Sequence, residues 1–336
     1  MNCAPTGEAG ADGQSKATGK GLRNVGFAKR MLNMWKRPRG GANGGARQQA
    51  GGAPPPKQTA GYGLLLDSYE VAASVWSDVG CQREVNEDCG RYVNPATSEL
   101  TAHKGVLLLV ADGVGGNSAG EVASRTAADV ISRVYFDYGG DMQSALIEAF
   151  REANREIHRA AELSAELRGM GTTCSALALK GGAAVSANVG DSRLYLVRGG
   201  EIYLMTEDDS VVGAMVKHGL ITREQAQRHP DKNVIVSALG GATEVSVTTW
   251  GAPLPVQVGD KFVICSDGLS DLVEDEEIKE TVVAATPDVA CQKLIELAKE
   301  RGGHDNITVG INAIMPEGAG AAGAKNLRAT RELEAL

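Results

Sequence analysis

Between Thr172 and Met205 the chain passes through four apolar runs with almost nothing between them. Thr172–Leu179 leads through Lys180-Gly181-Gly182 into Ala183–Val189, and Arg193–Arg198 turns at Gly199-Gly200 into Glu201–Met205. Links this short and rich in glycine read as antiparallel hairpins. Further strands are expected at Val71–Val79, Val106–Ala111, Val245–Trp250, Lys261–Ser266 and Ile307–Met315. Three helices stand apart from them. One begins near Ala119, with Ala123, Ala127, Val130, Ile131 and Val134 on one stripe. The second runs from about Met142 to Leu167, and the third follows Pro287 and stops at Gly302. Strands that cluster around a long helical pair indicate an α+β chain with sheets packed together and helices outside.

Composition divides the 336 residues near position 62. Residues 1–61 carry ten Lys/Arg against two acids and thirteen Gly, whereas the remainder holds 24 basic and 40 acidic residues. The first part buries too little apolar surface to offset its ordering entropy and is expected to be a disordered basic tail. Within it Leu22, Val25, Met31, Leu32 and Trp35 recur at near-helical spacing among Arg23, Lys29, Arg30 and Lys36. That arm could touch an anionic membrane or a partner groove weakly, or be a solvated arm with a few apolar residues. A body at 62–315 is followed by a Gly/Ala-rich tail at 316–336, also expected to be disordered. The acidic body argues against nucleic acid as a partner. No apolar run approaches the ~20 residues that span a bilayer, and no signal peptide opens the chain. Six scattered cysteines form no C-x-x-C pair, so neither a zinc cluster nor disulfides are expected, and a cytoplasmic location follows.

The aspartates carry the chemistry. Asp112 follows Val-Leu-Leu-Leu-Val-Ala and precedes Gly113, Asp267 follows Phe-Val-Ile-Cys-Ser, and Asp191 follows Gly190 at the end of a strand. Asp305 stands just before the strand at Ile307, and Asp88 lies shortly after the first strand. A single Asp-Gly is most simply a turn. Five short carboxylates at strand ends would repel one another on convergence, and a hard dication, Mg²⁺ or Mn²⁺, relieves that repulsion with all-oxygen ligands. Gly113 lacks a Cβ, so its carbonyl can approach such an ion. The stretch Gly113–Gly120 misses G-x-G-x-x-G because Ser118 occupies the third glycine position, and the body contains no G-K-[ST].

Six motifs occur in order: Arg83-x-x-Asn86-Glu87-Asp88; Ala111-Asp112-Gly113-Val114-Gly115-Gly116 with Ala119-Gly120-Glu121-x-Ala123-Ser124; Gly169-Met170-Gly171-Thr172-Thr173; Gly190-Asp191-Ser192-Arg193; Ser266-Asp267-Gly268-Leu269; and Asp305-Asn306-Ile307-Thr308. From about residue 70 to 315 the chain resembles the metal-dependent protein phosphatases (PPM, type 2C) in their compact bacterial form. The resemblance implies a four-layer α-β-β-α sandwich of mainly antiparallel sheets, with a binuclear metal centre at the sheet edge. It implies hydrolysis of phosphoserine and phosphothreonine in proteins by a metal-activated water. Asp112 would bridge two ions and the Gly113 carbonyl would bind one. Asp267 and Asp305 would ligate the other, with Glu87 and Asp88 acting mainly through metal-bound water. Arg83 would hold the phosphate. Asp191, with Asp267 and Asp271, would form a weaker third site.

Some positions depart from the pattern. Val114 stands where eukaryotic members often carry His, and Asp209-Ser210 where many have His-Ser. Residues 211–230 resemble a mobile flap, and His304 beside Asp305 is expected to face solvent or support a ligand. The expected partners are phosphorylated proteins and a cognate bacterial Ser/Thr kinase that the enzyme counteracts, with the chain itself a monomer. Two other readings are a phosphoprotein-binding pseudophosphatase, which the full ligand set opposes, and a partner-switching regulatory phosphatase, whose usual sensory domains are not visible.

Overall fold

The computed structural model describes residues 69–95, 103–115, 119–317 and 331–332, all within one unit, Gln49–Leu336. The basic arm and its apolar stripe lie outside the described residues, as does most of the C-terminal tail. The first sheet contains β1 (Glu70–Asp78), β7 (Arg193–Arg198), β8 (Glu201–Leu204), β11 (Lys261–Cys265), β12 (Ile307–Met315) and β13 (Arg331–Glu332), in the order β13-β1-β12-β11-β7-β8. The second is built on the order β10-β6-β5-β3-β2, from β2 (Asp88–Val93), β3 (Val106–Val114), β5 (Cys174–Lys180), β6 (Ala183–Val189) and β10 (Leu254–Pro255). Two short strands, β4 (Gly171–Thr172) and β9 (Thr248–Thr249), pair with β3 and β6.

Helices α1 (Ala119–Asp137) and α2 (Met142–Leu163) cover the second sheet. Helices α6 (Asp275–Ala284) and α7 (Pro287–Glu300) cover the first. Between the sheets lies a third core, in which Val75, Leu194, Phe262 and Ile264 of one meet Leu108, Val110 and Leu177 of the other. Strand β3 serves two cores by alternation: Leu107, Leu109 and Ala111 point to the helices, and Val106, Leu108 and Val110 to the opposite sheet. Its unbroken apolar run is what a strand buried on both faces requires. A fully buried Leu there contributes about 1.5–3 kcal/mol. The four-layer α-β-β-α sandwich implied by the resemblance is the observed architecture.

Both glycine links are hairpin turns. Gly181 and Gly182 have φ of 53° and 74°, and Gly199 and Gly200 of 62° and 85°, the left-handed geometry that glycine tolerates. Local pattern failed elsewhere. The expected strand Val245–Trp250 is reduced to Thr248–Thr249, because only Ala187 and Asn188 of β6 offer it partners. Helix α2 ends at Leu163, with Ser164 closing it, and Leu167 lies in a turn beyond. Strand β2 and helix α6 went unread: β2 alternates weakly, and α6 opens on three consecutive acids with few apolar positions.

Candidate metal centre

The carboxylates meet because strand ends meet. Asp88 begins β2 directly opposite Asp112 on β3. Asp267 opens α5 (Asp267–Ser270) immediately after β11, and Asp305 lies two residues before β12. Asp191 follows β6. Rigid neighbours hold the Asp112 backbone: Thr172 Oγ1 donates to its carbonyl at 2.8 Å, and the Thr173 N–H donates to it at 2.9 Å. The Asp112 N–H in turn donates to Thr173 Oγ1 at 3.3 Å. The Gly-Thr-Thr motif thus fixes the direction of the aspartate that opens Asp-Gly.

The electrostatics are those of crowded anions. Burial first, then the charges of Asp88, Asp267, Asp191 and Asp305, raise the Asp112 carboxyl well above the ordinary carboxylate range. Burial also pushes Asp88 up to about 7, Asp191 to about 8 and Asp267 to about 6. Asp112 and Asp267 lie within hydrogen-bonding reach of each other, while Asp267 Oδ1 is buried without a partner. Basic side chains neutralise only the margin. Arg83 donates to Asp305 Oδ2 at 2.7 Å, and the Lys232 ammonium pairs with Asp271, which also has the His304 imidazole 4.0 Å away.

Two glycines are there because backbones touch. A Cβ on Gly113 would fall 2.3 Å from the Gly120 carbonyl oxygen and 2.4 Å from that of Glu87. One on Gly268 would fall 2.0 Å from the Asn306 carbonyl oxygen. Close packing of loops, beyond the approach of a carbonyl to an ion, therefore demands glycine at both positions. Glu87 sits where α1 begins, its carboxylate hydrogen-bonded to the Gly120 backbone, and burial raises its pKa.

The structure brings Asp88, Asp112, Asp191, Asp267 and Asp305 into mutual electrostatic reach, with Arg83, Glu87 and Asp271 at the border. Among the described residues, no three Asp, Glu, His or Cys side chains close into a ready cage. The donor set nevertheless fits a hard dication: it is all oxygen, crowded with like charge, and leaves one buried carboxylate oxygen unpartnered. Sequence reasoning missed Asn306 as a structural agent. Its Oδ1 accepts the Glu87 N–H at 2.8 Å, and its Nδ2 donates to the Val79 and Val85 carbonyls, both at 3.0 Å. One amide thus pins the loop that carries Arg83 and Glu87. The amide beside Asp305 was visible in the sequence, but its long-range partners were not. Lys232 was missed because nothing local marks a lysine that reaches 39 residues along the chain to Asp271. Asp209 binds the Gly190 N–H at 3.1 Å, and Ser210 caps helix α3 (Val211–Lys217), which precedes α4 (Arg223–Gln227) in the flap-like segment.

Two packed antiparallel sheets, their flanking helices and the carboxylates gathered at the strand ends define an α-β-β-α sandwich with a candidate metal centre. The chain belongs to the protein phosphatase 2C family, whose pattern matches residues 96–291. Over 217 residues it is 40% identical to the serine/threonine protein phosphatase PstP of Mycobacterium tuberculosis, which covers 64% of this chain. It spans only 41% of that relative's length. Protein phosphatase PhpP of Streptococcus pneumoniae is 34% identical over 252 residues, covering 73% of this chain and 98% of its own. The crystal structure of the PstP catalytic domain in complex with two manganese ions superposes with a TM-score of 0.64 at 36% identity. That match covers 74% of this chain and all of the other.

Proposed function

We propose that the protein is a Mg²⁺- or Mn²⁺-dependent serine/threonine protein phosphatase. The observation that carries this reading is the convergence of buried Asp88 and Asp191 with half-buried Asp112, Asp267 and Asp305, with the buried Asp267 Oδ1 unpartnered. Asp112, the Gly113 carbonyl, Asp267 and Asp305 would hold two ions, with Glu87 and Asp88 beside them. Asp191, Asp267 and Asp271 would hold a third. Ions bound there supply Lewis acidity, lowering the pKa of a water and offsetting charge on the phosphoryl oxygens. Arg83 binds the phosphate: its side chain is 48% exposed, and Asp305 holds one nitrogen while the planar fork keeps donors to spare. Val114, 42% exposed, cannot transfer a proton to the leaving serine or threonine oxygen. The relatives' names and the manganese-bound neighbour support the same activity.

The substrates are phosphoserine and phosphothreonine proteins, and the opposing enzyme is a Ser/Thr kinase of the same bacterial cell. The protein acts as a cytoplasmic monomer; among the described residues no helix is long and apolar enough to cross a membrane. The test is hydrolysis of a phosphothreonine peptide by the full chain. Activity should disappear with EDTA, return with Mn²⁺ or Mg²⁺, and be absent in Asp112→Asn. Full turnover after metal removal, or Mn²⁺ binding unchanged in Asp112→Asn, would refute the assignment.

A further inference from the structure

A chain of hydroxyls crosses from one sheet to the other and ends on Asp88. Ser266 is the N-cap residue of α5, a place where serine ordinarily accepts from the first turn. Here it makes no such bond, and its Oγ donates instead to Asp88 Oδ2 at 2.8 Å. The Thr308 N–H donates to that same Ser266 oxygen at 3.0 Å, and the Thr308 side chain lies within hydrogen-bonding reach of Asp88. Behind Thr308 stands its cross-strand partner Ser77, with hydroxyl oxygens 2.7 Å apart. Asn86 Nδ2 donates to Ser77 Oγ at 2.8 Å, and Asn86 Oδ1 accepts the Asp88 N–H at 3.2 Å.

Donor and acceptor identities orient the whole chain. Asn86 uses its carbonyl oxygen on Asp88 N–H, so its amide nitrogen must face Ser77. An ionised Asp88 can only accept, so a Thr308 proton turned to the carboxylate leaves Ser77, which accepts from Asn86, as the donor in the Ser77–Thr308 pair. Ser266, accepting from the Thr308 backbone, donates to the same carboxylate. Ser77, Ser266 and Thr308 are all nearly or wholly buried, so water does not readily substitute for any link.

Resting on the phosphatase reading above, we propose that Ser77, Thr308 and Ser266 are positioning residues that aim Asp88 and lock the carboxylates of the two sheets together. Asp88 and Asp112 belong to the second sheet, while Asp267 and Asp305 flank strands of the first. Without a link across the sandwich, a small slide of the sheets would separate the two halves of the ligand set. The Ser266 hydroxyl bonded to that carboxylate and the Thr308 hydroxyl beside it, both from the first sheet, oppose that slide where it matters.

The experiment measures Mn²⁺ binding calorimetrically on the full chain without substrate, beside peptide hydrolysis. Thr308→Val keeps shape and removes the hydroxyl; Mn²⁺ affinity should fall about tenfold, the loss typical when a ligand's outer partner is removed. Thr308→Ser should restore it. Ser77→Ala, which touches no carboxylate, should weaken Mn²⁺ binding in the same direction but cost nothing more when added to Thr308→Val, because the chain is already cut. Should Thr308→Val fail to fold, Ser77→Ala and Ser266→Ala carry the same test. Unchanged affinity in Thr308→Val or in both alanine variants, while Asp112→Asn loses metal, would overturn the positioning role and leave the metal centre standing. Unchanged affinity in Asp112→Asn as well would refute the metal centre itself. A full additional loss from Ser77→Ala in the Thr308→Val background would remove Ser77 from the chain.

Discussion

Stripping metal from this protein should make its stability fall as pH rises, the reverse of the usual carboxylate behaviour. Burial and mutual repulsion raise Asp88 to about 7, Asp191 to about 8 and Asp267 to about 6, against 3.8 for an ordinary Asp. Below about pH 4 the folded and unfolded chains are both protonated, and the stability linked to these groups is fully present. Above it the unfolded chain releases protons that the folded cluster retains, so unfolding becomes easier with each increment of pH, and the loss completes as pH passes through 6 to 8. One retained proton costs about 1.4 kcal/mol per pH unit, or about 3 kcal/mol between pH 5 and 7. For a domain of this size that lowers Tm by roughly 6 °C or more. The assay is thermal unfolding of EDTA-treated protein at pH 5, 6, 7 and 8, repeated with excess Mn²⁺. The added ion should abolish the decline and release protons on binding, seen calorimetrically in buffers of different ionisation enthalpy. A Tm that climbs from pH 5 to 8 without metal, together with no proton release, would refute the argument.

Gly268→Ala should destabilise the fold by about 2 kcal/mol or more and weaken Mn²⁺ binding, because its Cβ would fall 2.0 Å from the Asn306 carbonyl and displace the residue that pins Glu87. Denaturant unfolding and calorimetry read both effects. Lys232→Ala removes the cation paired with Asp271 and should tighten the weakest Mn²⁺ site about two- to fivefold, the scale of a partly exposed ion pair, with the two tighter sites unchanged in the same titration. Lys261→Met should cost about 1–2 kcal/mol in chemical denaturation, since the Lys261 ammonium binds the Val282 and Ala285 carbonyls at 2.5 and 3.2 Å where α6 ends. Its peptide hydrolysis should be unaffected, as α6 lies away from the carboxylates.

Local chemistry made much of this protein readable before folding. Gly181-Gly182 and Gly199-Gly200 specify hairpins because only glycine adopts two successive left-handed residues cheaply. Val106–Ala111 specifies a doubly buried strand because its run has no polar alternation. Asp112, Asp191, Asp267 and Asp305 announce themselves as short acids where strands begin or end. Tertiary structure alone decided what depends on partners far apart in sequence. The six residues of β2 are a strand because β3 lies beside them, and Val245–Val247 is not one because β6 offers nothing there. Asn306 reaches Val79, Val85 and Glu87 across more than two hundred residues, and Ser266 leaves its helix cap for Asp88, 178 residues away. Hydrogen bonds of that separation have no periodicity, so they come into existence only when two sheets close on each other and a buried carboxylate must find donors.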